Sequence, residues 1–146
     1  MGNNLTIITG AAGSLGNSLC NRLLSQTHHI IAVTRPQGTP IQPRNHKYRT
    51  DIKIDLSKPI TQSLLHKHLK TLFSKHKYCQ LNVVHTAALF SKQTLGEQTQ
   101  IRKARDIFQV NCIALYEITQ VALPWLKRVR NGTIIGVSSN LTCSVP

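Results

Sequence analysis

Short apolar runs alternate along the chain with longer stretches in which apolar residues recur at helical spacing. Four of the runs are rich in β-branched residues and predict strands, which cover residues 5–9, 29–33, 81–85 and 133–137. Residues 48–54 alternate between apolar and polar types, as a half-buried strand does. Apolar residues three or four positions apart predict helices over residues 15–24, 60–73 and 101–126.

The order of these elements predicts the fold class. Strands that alternate with helices form βαβ units, and short strands that are apolar on both faces suit a parallel sheet covered by helices on both sides. Right-handed crossovers then give an α/β fold of three layers (αβα), a doubly wound, Rossmann-like parallel sheet with strand order 3-2-1-4-5. The length of 146 residues corresponds to a single domain, residues 1–146.

Composition excludes several classes of protein. Hydrophobic residues make up 40% of the chain, more than a disordered segment carries. No apolar run approaches the ~20 residues of a membrane-spanning helix, and no basic residue precedes the first apolar run as in a secretory leader. We therefore expect a cytoplasmic protein without a metal site, with reduced thiols at its four widely separated cysteines: Cys20, Cys79, Cys112 and Cys143.

The charge balance is strongly basic. Eighteen Lys and Arg residues against five Asp and Glu give a formal net charge of +13, and half of the basic residues lie between positions 44 and 77. Such a surplus attracts phosphate groups. A solvated basic face is the favoured interpretation, since nucleic-acid binding has neither interleaved aromatic residues nor a known motif to support it.

Three glycines at G-x-x-G-x-x-G spacing lie between the first predicted strand and the first predicted helix. Gly10 permits a tight turn, Gly13 lets a pyrophosphate approach the backbone, and Gly16 lets the helix pack closely on the sheet. The N-terminus of the helix adds N–H groups and a positive dipole end. The motif thus predicts a dinucleotide site formed by Gly10, Ala12, Gly13, Ser14, Leu15 and Gly16.

The segment Thr-Gly-Ala-Ala-Gly-Ser-Leu-Gly at positions 9–16 resembles the TGxxGxxG motif of extended members of the short-chain dehydrogenase/reductase superfamily. Four later segments, in the same order as in that family, extend the resemblance over essentially the whole chain. They are Asp55-Leu56 after the third strand, His85-Thr-Ala87-Ala88 after the fourth, Val110-Asn111 in the long helix, and Ser138-Ser139 after the fifth.

The resemblance implies specific roles for these residues. Asp55 and Leu56 would contact the adenine, Ala87 and Ala88 would line the cofactor, and Asn111 and Ser139 would belong to the catalytic set, with Asn111 also near the cofactor. The activity implied is hydride transfer between a nicotinamide dinucleotide and a carbonyl or alcohol substrate. For His85, a packing or supporting role is favoured over that of a base.

The end of the second strand bears on the choice of cofactor. NAD-specific sites carry an acidic residue there, which accepts hydrogen bonds from the adenosine ribose. This chain has Arg35 instead, a residue suited to a 2′-phosphate. We therefore favour NADP(H), and NAD(H) stays open.

The family's proton-transferring pair, a tyrosine four residues before a lysine, does not occur in the chain. The residues four positions after the three tyrosines are Ile52, Asn82 and Gln120. In the family the tyrosine follows the catalytic serine by a dozen residues or more, beyond Pro146. We therefore expect a C-terminally truncated, cofactor-binding portion that has little or no hydride-transfer activity alone.

Two alternatives remain open from the sequence. One is a non-catalytic dinucleotide-binding domain that acts as a sensor or partner subunit, and the other is a member similar to NAD-dependent sugar epimerases and dehydratases. In each case the fifth strand would form a sheet edge with unpaired backbone groups, which favours a homo-oligomer or a completing chain there.

Overall fold

The computed structural model describes residues 3–26, 28–37, 46–59, 63–90 and 99–138. Five strands lie in this part of the chain: β1 (Asn3–Thr9), β2 (His29–Thr34), β3 (Arg49–Lys53), β4 (Tyr78–His85) and β5 (Asn131–Gly136). The helices are α1 (Ser14–Leu24), α2 (Ser63–Lys75), α3 (Thr99–Phe108) and α4 (Ala114–Leu126), and a π-helical turn (Gln109–Ile113) joins the last two.

The five strands form one parallel sheet in the order β3-β2-β1-β4-β5. β1 lies at its centre, where Thr9 is paired with Val33 of β2 on one side and with His85 of β4 on the other. The predicted α/β fold and strand order are therefore confirmed. Since all strands run the same way, the loops that follow them lie at one edge, called the carboxyl edge here.

Helices cover both faces of the sheet because β1 and β2 are apolar on both sides. One core layer packs α2 and α4 on the sheet, with Leu65, Leu69 and Ile118 fully buried against Ile7 and Leu81. The other packs α1 on the opposite face through Ile8, Cys20, Leu24, Ile30, Ala32 and Val84. Burial raises the pKa of the Cys20 thiol to about 11, which keeps this thiol protonated and inert at neutral pH.

Two features depart from the sequence pattern. The helix predicted over residues 101–126 is interrupted, because the turn Gln109–Ile113 is π-helical and divides α3 from α4. β5 pairs with β4 alone in the described sheet, and every one of its residues is exposed rather than covered on both faces. In the described ranges, no helix combines the length and the apolar character that crossing a bilayer requires.

Candidate functional site

The segments that the sequence singles out meet at the carboxyl edge of the sheet. The glycine motif follows β1, Arg35 follows β2, Asp55 follows β3, and Ala87 and Ala88 follow β4. β1 and β4 are neighbours although two strands separate them along the chain. The strand order thus reverses between β1 and β4, which is where open α/β sheets bind their ligands.

Two of the three glycines allow the turn after β1 to pack against the end of β4. Gly10 has a φ of +66°, and a Cβ on it would lie 2.7 Å from the backbone N and Cα of Ala87. A Cβ on Gly16 would lie 2.4 Å from the Gly10 carbonyl oxygen and 2.8 Å from Thr86 Oγ1. Gly16 therefore lets the start of α1 lie close both to the turn and to Thr86, the residue that directly follows β4.

Gly13 differs from the other two glycines because it is exposed and a Cβ on it would meet a single nearby atom. It is exposed, and the nearest atom to a Cβ built on it is the Gly10 carbonyl oxygen, at 3.2 Å. Gly13 is the N-cap of α1 and provides no side-chain hydrogen bond, and Ser14 and Leu15 beside it are exposed while Ala12 is half-buried. The first-turn N–H groups of a helix have no intrahelical acceptors, so this end of α1 suits an anion.

A buried hydrogen-bond chain joins β1, β4 and the π-helical turn. His85 Nε2 lies 2.9 Å from the carbonyl oxygen of Val110, and Nδ1 lies 2.7 Å from Thr9 Oγ1. Because a carbonyl can only accept, Nε2 carries the proton and Nδ1 accepts from the Thr9 hydroxyl. Thr9 Oγ1 in turn accepts from the N–H of Ala87, at 3.4 Å.

Both ring nitrogens of His85 are therefore engaged within the protein. Burial lowers the pKa of His85, and the hydrogen bond to Val110 offsets part of that effect, so the imidazole is neutral at pH 7. This arrangement suits a supporting role and not that of a base. Thr9 was not predicted as a site residue. A hydroxyl at the end of a buried strand, directly before a glycine turn, was a usable signal because a buried hydroxyl needs a hydrogen-bond partner.

The π-helical turn makes the Val110 carbonyl available to His85. The N–H of Ala114 donates to the carbonyl of Gln109, five residues back, rather than to Val110, four residues back. A π turn inside a helix is frequent at functional sites. Here it frees an acceptor that His85 then uses.

Asn111 lies in the same turn and holds the segment that follows β4. Its Oδ1 accepts from the N–H of Leu89 at 2.8 Å, and its Nδ2 donates to the Leu89 carbonyl oxygen at 3.0 Å. Both functions of the amide are thus occupied by one backbone residue. The structure places Asn111 as a positioning residue for the segment that carries Ala87 and Ala88.

The predicted adenine-contacting pair, Asp55 and Leu56, is engaged within the protein. Leu56 is buried in the core layer formed with α2 and α4. Asp55 accepts from the N–H and the hydroxyl of Ser57, at 3.1 and 2.7 Å, and Lys58 Nζ lies 3.7 Å away. The hydroxyl of Ser57 is the main cause that lowers the pKa of Asp55, so this carboxylate is charged at neutral pH.

The remaining predicted residues lie at the same edge or outside the described part of the chain. Arg35 is exposed directly after β2, and no carboxylate precedes it in that strand. Ser139 falls outside the described residues, but the N–H of Val137, two residues before it, donates to the His85 carbonyl oxygen at 3.0 Å. In the described ranges, no three His, Cys, Asp or Glu residues meet in a way that could hold a metal ion.

Comparison with protein families gives one match that covers nearly the whole chain. The model of the family described as short chain dehydrogenase matches residues 4–145. VdlC of Helicobacter pylori, named as a short-chain type dehydrogenase/reductase, is 28% identical over 135 residues, which make up 92% of this chain and 48% of the relative. The chain therefore spans about half the length of this relative.

Solved structures of similar fold include short-chain dehydrogenases. A short-chain dehydrogenase from Streptomyces avermitilis is 15% identical, with a TM-score of 0.76 over 98% of this chain and 52% of the other. A short-chain dehydrogenase from Leptospira borgpetersenii with bound NAD+ is 18% identical, with a TM-score of 0.72 over 100% of this chain and 55% of the other. At these identities the likeness concerns the fold.

Proposed function

The chain belongs to the short-chain dehydrogenase family, and on that premise we propose that residues 1–146 form the dinucleotide-binding portion of an NAD(P)-dependent oxidoreductase. The observation that carries the proposal is the exposed N-terminus of α1, capped by Gly13 at the point where the strand order reverses. A side chain at this position would stand between the backbone and a pyrophosphate. In this proposal, the segments that follow β1 and β4 lie beside the bound dinucleotide.

The residues of this chain bind and orient; the nicotinamide, when bound, supplies the hydride chemistry. The backbone N–H groups at the start of α1 would hold the pyrophosphate. The segment after β4, held by Asn111 and by the chain Thr9–His85–Val110, would lie along the cofactor. Ser139 stays a prediction as the group that polarises a carbonyl or alcohol substrate in the complete enzyme.

Proton transfer has no candidate in the printed sequence, because none of its three tyrosines is followed at the fourth position by a lysine. We therefore propose that this chain alone binds the cofactor and catalyses little or no hydride transfer. The same observation supports the second candidate function, a dinucleotide-binding domain without catalysis. Robust oxidation of NADPH by the isolated chain with any carbonyl of a substrate panel would refute both.

NADP(H) is the cofactor we propose in preference to NAD(H). Arg35 extends from the end of β2, and the nearest carboxylate after β3, that of Asp55, is held by Ser57 and Lys58. A guanidinium in this place pairs with a 2′-phosphate, which only NADP(H) carries.

The test is a titration of NADPH and NADH fluorescence with the purified chain. We expect tighter binding of NADPH, and Arg35→Gln should weaken NADPH binding about tenfold, the equivalent of one charge-assisted hydrogen bond. NADH binding should change little. Arg22→Gln, an exposed arginine in the last turn of α1, is the matched control. Binding of neither nucleotide to folded protein would overturn the proposed function, and equal loss of both with Arg35→Gln would overturn the NADP(H) assignment alone.

β5 is an edge strand of the described sheet. We propose that a strand from a second copy or from another chain pairs with it. Ile134 and Ile135 of β5 are 48% and 46% exposed. An edge strand with exposed apolar side chains favours pairing with a second copy or with another chain that completes the sheet. Clean monomeric elution in size-exclusion chromatography across a concentration series would contradict self-association.

A further inference from the structure

A second cavity lies at the opposite edge of the sheet from the dinucleotide site. It has a volume of about 690 Å³ and is bounded by one side of α2, by the last turn of α4 and by Tyr78, the first residue of β4. His85, at the carboxyl edge, is the last residue of the same strand, which places the two sites roughly 23 Å apart. We call this space the amino-edge cavity.

The lining of the amino-edge cavity is rich in basic groups. Lys70 and Lys77 come from α2 and the segment after it, and Arg128 follows α4, with two histidines, His66 and His76, beside them. No carboxylate of the described chain lines the cavity. The ion pairs found in the described ranges involve other residues, so these three cations have no internal counter-charge there.

Aromatic rings form the wall behind these cations. The ring of Phe73 lies between those of Trp125 and Tyr78, with centroid distances of 4.9 and 5.0 Å. The Arg128 guanidinium lies 4.7 Å from the centre of the Trp125 ring. Trp125 is 6% exposed, and its indole N–H is buried without an acceptor among the residues the structure describes.

We propose that the amino-edge cavity binds an organic phosphate that carries an aromatic ring. The phosphate would pair with Lys70, Lys77 and Arg128, and the ring would pack on Phe73 and the edge of Trp125. The cavity volume falls within the ~300–1,000 Å³ of small-molecule sites, and a few polar groups against an aromatic wall are typical of such sites. The proposal is independent of the dinucleotide site, because it uses none of the residues at the carboxyl edge.

Cation placement favours a phosphate ligand over a neutral aromatic compound. Three positive groups without a counter-charge among the described residues repel one another, and a dianionic phosphate removes that repulsion while it forms charge-assisted hydrogen bonds. The concave wall favours a small molecule over a nucleic acid, which needs an extended basic surface.

Trp125 is the single tryptophan of the chain and lines the cavity, so its fluorescence reports on this site. The probe is phenyl phosphate, with excitation at a wavelength that only tryptophan absorbs, and with inorganic phosphate and phenol as partial ligands. We expect a saturable change in Trp125 fluorescence with phenyl phosphate, in the millimolar range or tighter, and at least tenfold weaker binding of each partial ligand. Lys70→Gln/Lys77→Gln should weaken phenyl phosphate binding about tenfold.

The matched control is Lys67→Gln/Lys127→Gln, which removes two exposed lysines near the cavity that do not line it. This control should bind phenyl phosphate as the parent does, and both double variants should bind NADPH normally. No saturable change with phenyl phosphate, or equal losses in the two double variants, would overturn the site. Equally tight binding of inorganic phosphate would overturn the assignment of an aromatic ligand. Circular dichroism of both variants establishes that they are folded.

Discussion

Gly13 and Gly16 lie three residues apart, yet replacement of each by alanine should fail for a different physical reason. A Cβ on Gly16 would lie 2.4 Å from the Gly10 carbonyl oxygen and 2.8 Å from Thr86 Oγ1. A Cβ on Gly13 would have one neighbour, the same carbonyl oxygen at 3.2 Å, and Gly13 has an ordinary φ of −76°. The first substitution perturbs the fold, whereas the second perturbs the surface that a ligand approaches.

The magnitudes follow from these distances. Normal contact begins near 3.4 Å, so Gly16→Ala requires α1 to move by ~1 Å from backbone atoms, and such overpacking costs about 1–3 kcal/mol. Alanine returns about 1 kcal/mol through its helix propensity. Because the obstructing carbonyl belongs to the backbone, the overpacking cost lies at the upper end of that range, and we expect a net loss of about 2 kcal/mol in the free energy of unfolding. Gly13→Ala puts a poor N-cap residue in place of a good one and should cost about 0.5–1 kcal/mol, less than Gly16→Ala.

For NADPH affinity, we expect the larger direct effect from Gly13→Ala and the smaller one from Gly16→Ala. The methyl group of Gly13→Ala would separate a pyrophosphate from the backbone N–H groups, which removes a hydrogen bond to a charged group worth about 2 kcal/mol, or roughly thirtyfold in affinity. Urea unfolding followed by Trp125 fluorescence measures stability, and NADPH titration measures affinity. A Gly16→Ala protein as stable as the parent, or a Gly13→Ala protein that binds NADPH as tightly as the parent, would refute the reasoning.

Two further predictions concern the buried histidine. Thr9→Val removes the hydroxyl that donates to His85 Nδ1 and changes the side-chain volume little. It should lower the free energy of unfolding, measured with urea, by about 1–3 kcal/mol. A loss below about 0.5 kcal/mol would contradict the hydrogen bond. Burial lowers the pKa of both His85 and His29. The free energy of unfolding should therefore be highest above the unfolded-state histidine pKa near 6.5 and should fall as the pH drops below that pKa. Urea unfolding at a series of pH values from about 7.5 to 5 measures this dependence. His85→Asn should reduce this slope, and an unchanged slope would count against the His85 contribution.

Most of the fold could be predicted from the sequence because its signals are local. The β-branched runs of β1 and β2 are apolar on both faces, and the glycine turn that follows β1 has a fixed place in parallel sheets. The ends of the strands were less certain. β4 begins at Tyr78, and the sequence placed its start three residues later because the aliphatic run that marks the strand begins only at Leu81.

Less of the candidate site could be predicted, because it depends on contacts between distant residues. The sequence indicates that Asn111 and Ala87 matter, but the contact that joins Asn111 to Leu89 spans 22 positions and has no local signature. The partners of His85 are likewise 76 residues before it and 25 after it. The π turn preserves a helical spacing of apolar residues, so it could not be seen in the pattern.

The π-helical turn also changes the direction in which the side chains of α4 point. One additional residue in a helical turn advances the direction of every later side chain by about 100°. Before it, Ile101 and Phe108 are 62% and 59% exposed, whereas after it Ile118 and Ala122 are fully buried. The single amphipathic helix that the sequence suggests is therefore two helices: α3 leaves Ile101 and Phe108 in solvent, and α4 turns Ile118 and Ala122 into the core.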